Sequence, residues 1–260
     1  SPQADAGYDV ADYRDIDPLF GTLADFEGLL QDAERLGLKI IVDLVPNHSS
    51  DEHPWFQAAL ASPPGSPERE RYMFRDGLGD GGWEPPNNWE SVFGGPAWTR
   101  VTEADGTPGQ WYLHLFDTKQ PDFNWDNAEV HQEFLDILSF WVERGVAGFR
   151  VDVAAGLVKK PGLPDYDGTH DQMNADADVQ PTANAPMWDQ DGVHAIFASW
   201  RALLDTYGEP DRILCAEAWV HPPERAALYV RPTEFHQAFN FDFLECPWRA
   251  ADYRRVITHS

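Results

Sequence analysis

The feature that most constrains the fold is an alternation of amphipathic helices with short apolar runs. Residues 23–37 repeat apolar side chains at helical spacing, and Gly37 follows as a stop signal. The next run, KIIVDLV (39–45), is typical of a strand that is covered on both faces. Helix and strand patterns alternate again from residue 129, without an antiparallel hairpin signal. This order predicts the α/β class with a parallel sheet.

Two long segments interrupt the alternation. Residues 49–127 and 156–188 are rich in Gly, Pro and Asp. Because structureless loops of more than about 15 residues are uncommon in compact domains, we expect 49–127 to be an irregular subdomain inserted after a strand. The elements predicted beyond it are a helix at 129–145, a strand at 146–154, a helix at 192–207, a strand at 212–219, a short helix at 222–230 and a strand at 236–243.

Charge and composition limit the partners. The net charge of −25 argues against nucleic acids and anionic membrane surfaces, since both repel an acidic protein. No apolar run approaches the roughly 20 residues that a spanning helix requires. The two cysteines, Cys215 and Cys246, cannot form a disulfide framework, and no metal-site spacing surrounds them. We therefore expect neither a nucleic-acid nor a membrane partner, and no metal site.

A charged pair lies inside the apolar run GFRVDVA. Arg150 and Asp152 are two residues apart on a predicted strand, so they share one face. A neighbouring guanidinium favours the ionised form of a carboxyl group, so Asp152 is expected to remain a carboxylate near neutral pH. Such a carboxylate at the end of a strand suits a covalent nucleophile. A buried structural ion pair is the alternative that this motif alone leaves open.

Two other strands bring ionisable groups to the same edge. Asp43 lies inside the apolar run IIVDLV, His48 lies just beyond the end of that strand, and Glu217 follows the run ILCA. The apolar and aromatic neighbours of Glu217 are expected to raise its pKa, so that it keeps a proton to donate. An acid facing a carboxylate nucleophile is the equipment of a retaining glycosidase, with the two carboxyl groups about 5–5.5 Å apart.

Four motifs carry a resemblance to a known family. DLVPNH (43–48), GFRVDVA (148–154), EAW (217–219) and QPDFNW (120–125) resemble signature regions of the α-amylase superfamily of glycoside hydrolases (family 13), in its α-glucosidase and oligo-1,6-glucosidase branch. The resemblance extends over essentially all 260 residues. It implies a (β/α)8 TIM barrel with a subdomain, domain B, inserted after the third strand.

The resemblance also implies a partial barrel. Residues 1–48 and 128–260 would form the catalytic barrel around strands three to six, and 49–127 the inserted subdomain. The third catalytic Asp of the family would lie beyond residue 260. We therefore expect this sequence to be a fragment, inactive alone.

The matching motifs imply roles for individual residues. Asp152 would be the nucleophile, Glu217 the general acid and base, and Arg150 the group that holds Asp152, while Asp43 would be a structural residue that orients Arg150. Val153 is expected to bear on specificity, because in related enzymes Val at this position goes with cleavage of α-1,6 bonds. The remaining residues expected to bind substrate are Asp5, Tyr8, His48, Phe93, Phe116 and Gln120.

The sequence thus predicts a retaining α-glucosidase that releases terminal α-1,4- or α-1,6-linked glucose from short oligosaccharides. A transglycosylating or isomerising relative, of the trehalose synthase or sucrose isomerase type, and a non-catalytic relative of transporter heavy chains are the alternatives. No cofactor is expected within these residues, and a structural Ca²⁺ or Mg²⁺ of the family would be held outside them. A cytoplasmic location is expected, while oligomeric state and linkage preference are left open.

Overall fold

The computed structural model describes residues 1–168 and 185–259. The helices and strands of these residues are, in chain order, α1 (Leu23–Arg35), β1 (Val42–Leu44), α2 (Pro54–Ala61), β2 (Phe74–Arg75), β3 (Trp98–Thr102), β4 (Pro108–Leu113), α3 (Ala128–Glu143), β5 (Gly148–Val151), α4 (Val193–Asp205), β6 (Ile213–Ala216), α5 (Pro223–Ala226), β7 (Gln237–Ala238), α6 (Phe241–Glu245) and α7 (Ala250–His259). No helix among them is both long and apolar enough to cross a membrane.

A parallel sheet forms the centre of the molecule. Its strand order is β1–β5–β6–β7, and each neighbouring pair is parallel. Helices α3, α4 and α5 lie between successive strands along the chain. This confirms the predicted α/β class, and within the described residues the sheet remains open, as in a partial barrel. All four strands therefore present their carboxyl ends at one edge, where parallel sheets carry their sites.

Helix α1 follows its sequence pattern closely. The Thr22 hydroxyl accepts the backbone N–H of Asp25, and the Asp25 carboxylate accepts that of Thr22, which forms a capping box. Gly37 lies just beyond the helix with φ at +73°, a conformation that favours glycine. The predicted start and stop of this helix are thus confirmed.

The first strand is shorter and more exposed than expected. Only Val42–Leu44 pair as β1, and Ile41 is 42% exposed. Within the described residues β5 is the only strand paired with β1, so β1 is an edge strand. The expectation of a strand covered on both faces is therefore wrong for this structure, because the side chains of Ile41 and Asp43 are exposed.

The inserted segment is more regular than its composition suggested. It holds helix α2 and an antiparallel sheet with the strand order β2–β4–β3. A tight turn joins β3 to β4, in which the Glu103 N–H donates to the Thr107 carbonyl and Gly106 has φ at +84°. The description of 49–127 as irregular is therefore wrong in part. The proposed domain boundaries themselves stay a prediction.

The last predicted strand is mostly replaced by a helix. The prediction covered residues 236–243, but only Gln237–Ala238 pair with β6. The Asn240 side chain accepts the backbone N–H of Phe243 and caps α6. This cap turns the chain out of the sheet one residue after Phe239. Of the loop predicted at 156–188, residues 169–184 lie outside the described residues.

The core lies between the sheet and its covering helices. Phe149 of β5, Phe134 of α3 and Trp200 of α4 are all fully buried. The rings of Phe134 and Trp200 stack with their centroids 6.2 Å apart. This aromatic packing supports β5 from behind, and β5 is the strand that carries the central charged pair.

Candidate active site

One guanidinium gathers carboxylates from three neighbouring strands. Arg150 Nη1 donates to Asp43 Oδ1 at 2.8 Å and to Asp152 Oδ1 at 2.5 Å. Its Nη2 lies 3.1 Å from Glu217 Oε2. Asp43 belongs to β1, while Asp152 and Glu217 directly follow β5 and β6. The three ionisable groups that the sequence placed on separate strands are therefore brought together at one edge of the sheet.

Asp152 and Glu217 form an acid pair, and the pKa of Asp152 within it differs from the expectation. Its side chain is buried, and burial, followed by the negative charge of Glu217, raises the pKa of Asp152 to about 8. Arg150 opposes this shift without cancelling it. The prediction that the guanidinium keeps Asp152 ionised is therefore wrong for this structure, because desolvation and a second carboxylate outweigh the ion pair.

The two carboxyl groups lie close together. Both groups lie against one guanidinium, with Asp152 Oδ1 2.5 Å from Arg150 Nη1 and Glu217 Oε2 3.1 Å from Arg150 Nη2. The separation of about 5–5.5 Å expected of a retaining pair, against about 6.5–9.5 Å for an inverting pair, stays a prediction. Shared contact with Arg150 draws the two groups toward the same point.

Glu217 is surrounded by donors rather than by apolar groups. The backbone N–H of Val153 donates to its Oε2 at 2.9 Å, and the indole N–H of Trp219 donates to its Oε1 at 3.3 Å. The expectation of an apolar setting is therefore wrong: the aromatic neighbour that was taken as apolar presents its polar edge.

Val153 adopts a backbone conformation that is rare for its type. Its φ and ψ are +48° and +42°, in the left-handed region that disfavours β-branched residues. This turn aims its N–H at Glu217, and strain of this kind concentrates at functional sites. Its side chain packs against the cluster that contains Trp188. The predicted influence of Val153 on specificity stays a prediction.

Two aromatic rings flank the guanidinium. The Tyr8 and Phe239 rings each lie 5.6 Å from the Arg150 guanidinium carbon. The Tyr8 hydroxyl donates to Asp43 Oδ2 at 3.3 Å, and burial raises the pKa of this hydroxyl. Asp43 thus holds both Arg150 and Tyr8, as its predicted structural role requires. Sequence reasoning missed Phe239, whose only signal was its place at the end of a strand.

A second polar group adjoins the first. His48 is 1% exposed, and its Nε2 lies 3.0 Å from the Tyr8 carbonyl and 3.0 Å from Gln120 Nε2. Gln120 Nε2 donates to Asp5 Oδ2 at 3.0 Å. Burial lowers the pKa of His48, so the ring is neutral at pH 7. The structure therefore brings these four predicted residues together, while their contact with a sugar stays a prediction.

An aromatic row extends from this group to the surface. The Phe116 ring lies 5.1 Å from His48, 5.7 Å from Phe93 and 6.4 Å from Trp188. Phe93 is 56% exposed, whereas Trp188 is buried. Of the predicted residues, Phe116 thus contacts His48 directly, and Phe93 contacts Phe116. Trp188 was missed, because a lone Trp in a Gly/Pro-rich segment carries no periodic signal.

A buried ion pair joins the inserted segment to the barrel. Lys159 Nζ lies 2.7 Å from Asp122 Oδ2, and both side chains are almost fully buried. Lys159 also donates to Asn47 Oδ1 at 2.9 Å, and Asn47 Nδ2 donates to Asp122. Burial lowers the pKa of Lys159, and Asp122 opposes this shift. Since Asn47 precedes His48, this pair stabilises the backbone that carries the imidazole.

The acidic and histidine side chains of the described residues do not form a metal centre. In residues 1–168 and 185–259, no group of three or more His, Cys, Asp or Glu side chains is arranged to hold a metal ion. His53, part of the HSSDEH segment, accepts the Trp55 N–H instead and caps α2.

A parallel sheet that carries an acid pair at its carboxyl edge is an arrangement typical of glycoside hydrolases built on barrel scaffolds. The alpha-amylase catalytic domain matches residues 1–257. The chain belongs to the alpha-amylase family.

Sequence relatives agree with this assignment. An oligo-1,6-glucosidase of Parageobacillus thermoglucosidasius is 37% identical over 272 aligned residues, which cover 99% of this chain and 45% of the relative. Maltase 1 of Drosophila virilis is 39% identical over 257 aligned residues, which cover 94% of this chain and 39% of the relative. The chain therefore spans less than half the length of these curated relatives.

Solved structures share the fold. The crystal structure of an alpha-glucosyl transfer enzyme superposes with a TM-score of 0.88 at 35% identity and covers 99% of this chain and 48% of its own. The trehalulose synthase of Pseudomonas mesoacidophila gives a TM-score of 0.84 at 32% identity and covers 100% of this chain and 45% of its own. A mutant of this trehalulose synthase was solved in complex with its substrate sucrose.

Proposed function

We propose that the protein is a retaining α-glucosidase that releases terminal α-1,4- or α-1,6-linked glucose from short oligosaccharides. One observation carries the proposal: Asp152 and Glu217 follow neighbouring parallel strands and are both bound by Arg150. The names of the sequence relatives, which include oligo-1,6-glucosidase and maltase, support the same substrate class. The reaction needs no organic cofactor, since two carboxyl groups supply both a nucleophile and a proton.

The first step forms a covalent intermediate. The pair shares one proton, and in its reactive form this proton lies on Glu217 and leaves Asp152 as a carboxylate. A carboxylate oxygen of Asp152 then attacks the anomeric carbon of the terminal glucose while the glycosidic C–O bond breaks. The departing oxygen takes the proton of Glu217, so the leaving group is released as a neutral alcohol. Arg150 orients Asp152 through a hydrogen bond of 2.5 Å. Asp152 is then an ester, and Glu217 is ionised.

The second step releases glucose. Water attacks the anomeric carbon, its proton passes to Glu217, and the bond between Asp152 and the sugar breaks. Two inversions at one carbon preserve the α configuration. The pair returns to its starting state of one carboxylate and one carboxylic acid, which is the one-proton state that the raised pKa of Asp152 favours at neutral pH.

The activity is expected to decline on the alkaline side. Since the pKa of Asp152 is raised to about 8, the pair holds one proton below that pH and none above it. A pair without a proton has no general acid, so kcat/KM should fall as the pH rises through this range. The pH dependence of maltose hydrolysis measures it. A profile that stays level far into the alkaline range would contradict a shared titrating proton.

Replacement of Glu217 is expected to lower the activity more for substrates whose leaving group needs a proton than for those whose leaving group does not. Glu217→Gln should lower kcat/KM for maltose by about 10²–10⁴-fold, because a general acid contributes this much. An aryl glucoside, whose phenolate leaves without a proton, should lose much less in the first step. Steady-state kinetics on both substrates measures the ratio.

A second buried glutamate provides the control. Glu234 accepts from Arg231 and contacts His194 Nδ1 at 2.7 Å, outside the acid pair. Glu234→Gln should change both substrates alike. Equal losses for Glu217→Gln on maltose and on the aryl glucoside would argue against its role as the acid.

Product analysis tests the function as a whole. The protein expressed from its complete gene would be incubated with maltose, isomaltose, sucrose and trehalose, and the first anomer of glucose would be followed by NMR. We expect α-glucose from maltose or isomaltose, and the ratio of the two rates reports the linkage preference. β-Glucose as the first product would contradict double displacement.

A transglycosylating or isomerising activity is the second candidate. It is favoured by the structural similarity to an alpha-glucosyl transfer enzyme and to a trehalulose synthase. Such an enzyme would pass the glucosyl group from Asp152 to a sugar hydroxyl instead of water. An isomer of sucrose or a longer oligosaccharide, in place of glucose, would favour this candidate. A non-catalytic role agrees less well with an intact acid pair.

A further inference from the structure

The two oxygens of Glu217 have unequal surroundings. Oε2 faces two donors, Arg150 Nη2 at 3.1 Å and the Val153 N–H at 2.9 Å. A proton on Oε2 would point at these donors, and a donor cannot accept it. Oε1 receives one N–H in these contacts, from Trp219 at 3.3 Å, and keeps a lone pair for a proton. The transferable proton of Glu217 therefore belongs on Oε1.

Trp219 is itself held in place. Its ring stacks on Phe241, with centroids 3.5 Å apart and an interplanar angle of 15°. Phe241 is the first residue of α6, whose cap at Asn240 turns the chain at this point. Phe239 meets the edge of the same stack, 5.8 Å from Phe241. The indole can therefore direct its N–H without freedom to swing away.

We propose that Trp219 is a positioning residue, which holds Oε1 of Glu217 as the oxygen that gives and takes the proton. This inference rests on the proposed glucosidase function, since it assigns a part within the same reaction. In the first step the indole N–H occupies one lone pair of Oε1 and leaves the proton on the other side. In the second step it directs the free lone pair toward water.

The charged groups that face Glu217 come from several elements. Asp152 and Arg150 lie on the β5 side, and Asp43 on β1 acts through Arg150. The Tyr8 ring covers the guanidinium. Facing Glu217 from the β7 side, Trp219 and the rings stacked on it contribute no further charge. Loss of the Trp219 N–H removes one donor and leaves these charges in place.

The test replaces the indole and keeps the ring stack. Trp219→Phe, in the protein expressed from its complete gene, should lower kcat about 5-fold, the size of a typical net hydrogen bond, with little change in KM. The alkaline limb of its pH profile should move to higher pH, because a carboxylate that loses a donor is less stable. Trp248→Phe, at an 89% exposed tryptophan, is the matched control and should leave both unchanged.

A second variant keeps the test decisive. Phe241→Leu removes the stacking partner and leaves the indole N–H in place, so a smaller shift of the alkaline limb in the same direction is expected. It carries the test if Trp219→Phe does not fold. If the alkaline limb of the pH profile does not shift in a variant that folds, the proposal is overturned, even where kcat falls. A merely structural role of Trp219 would lower the activity without shifting that limb. An inactive Asp152→Asn beside an unmoved limb would show that this inference fails while the proposed function stands.

Discussion

Replacement of Asp152 by Asn is expected to lower kcat/KM on maltose by at least about 10⁴-fold, the loss found when a central group of a catalytic unit is neutralised. The amide keeps the shape of the side chain and cannot form the glucosyl ester, because it is not a nucleophile. Single-turnover measurements would show that the glucosyl-enzyme no longer accumulates. A variant that kept more than about a hundredth of the activity would exclude Asp152 as the nucleophile.

The control for this variant is another carboxylate on the same guanidinium. Asp43 accepts from Arg150 at 2.8 Å, and its side chain is 46% exposed. Asp43→Asn should cost at most about 10²-fold, the effect of a small displacement of positioned groups. A loss as large as that of Asp152→Asn would mean that neutralising any partner of Arg150 disables the site.

Stability provides a second measurement on Asp152→Asn. The pKa of Asp152 is about 8 in the folded protein, against about 3.9 for an unfolded Asp. Between these values the native state binds a proton that the unfolded state has lost, so the free energy of unfolding falls as the pH rises through this window. Asn removes that dependence, and we expect the variant to be more stable than the parent by about 1–3 kcal/mol at pH 8. Urea unfolding at acidic and at alkaline pH measures the difference.

Replacement of Lys159 by Met is expected to cost about 3–5 kcal/mol, because it leaves a buried carboxylate without its partner. Asp122 is fully buried, and its remaining hydrogen bonds come from neutral groups such as Asn47 and the backbone of Leu115. Limited proteolysis of residues 49–127 and the urea midpoint would measure the loosening. The adjacent Lys160 is exposed, so Lys160→Met is a matched control and should change stability little.

A double replacement distinguishes the pair from simple packing. Asp122→Asn together with Lys159→Met leaves no unpaired charge, so it should recover part of the loss of the single Lys159 variant. If Lys159→Met unfolded at the same urea concentration as Lys160→Met, the buried pair would contribute nothing to the free energy of unfolding.

Local signals predicted the elements whose stability is local. The helix α1 was found because its cap, its apolar face and Gly37 are all written within 16 residues of chain. The meeting of Asp152 with Glu217 was predictable as well, since parallel strands present their ends at one edge. The turn between β3 and β4 also had a sequence signal, the dipeptide Asp105–Gly106. The Gly-, Pro- and Asp-rich composition of the surrounding segment hid this signal.

Other features depend on contacts that no short segment contains. The donors on Glu217 arise from a left-handed Val153 and from the edge of Trp219, and neither orientation is encoded by residue type. The proton balance of Asp152 follows from its burial, which depends on the packed chain. Lys159 and Asp122 are 37 positions apart and pair only in the folded molecule.

The ion pair between Lys159 and Asp122 also bears on recombination among relatives. Exchange of residues 49–127 between family members would move Asp122 and leave Lys159 behind, because the two lie on opposite sides of the crossover. A chimera that carries an acid at position 122 without the ammonium group of Lys159 would be destabilised at this contact, even if its new residues bound the sugar well. Crossover points chosen to carry both residues from one parent would avoid that defect.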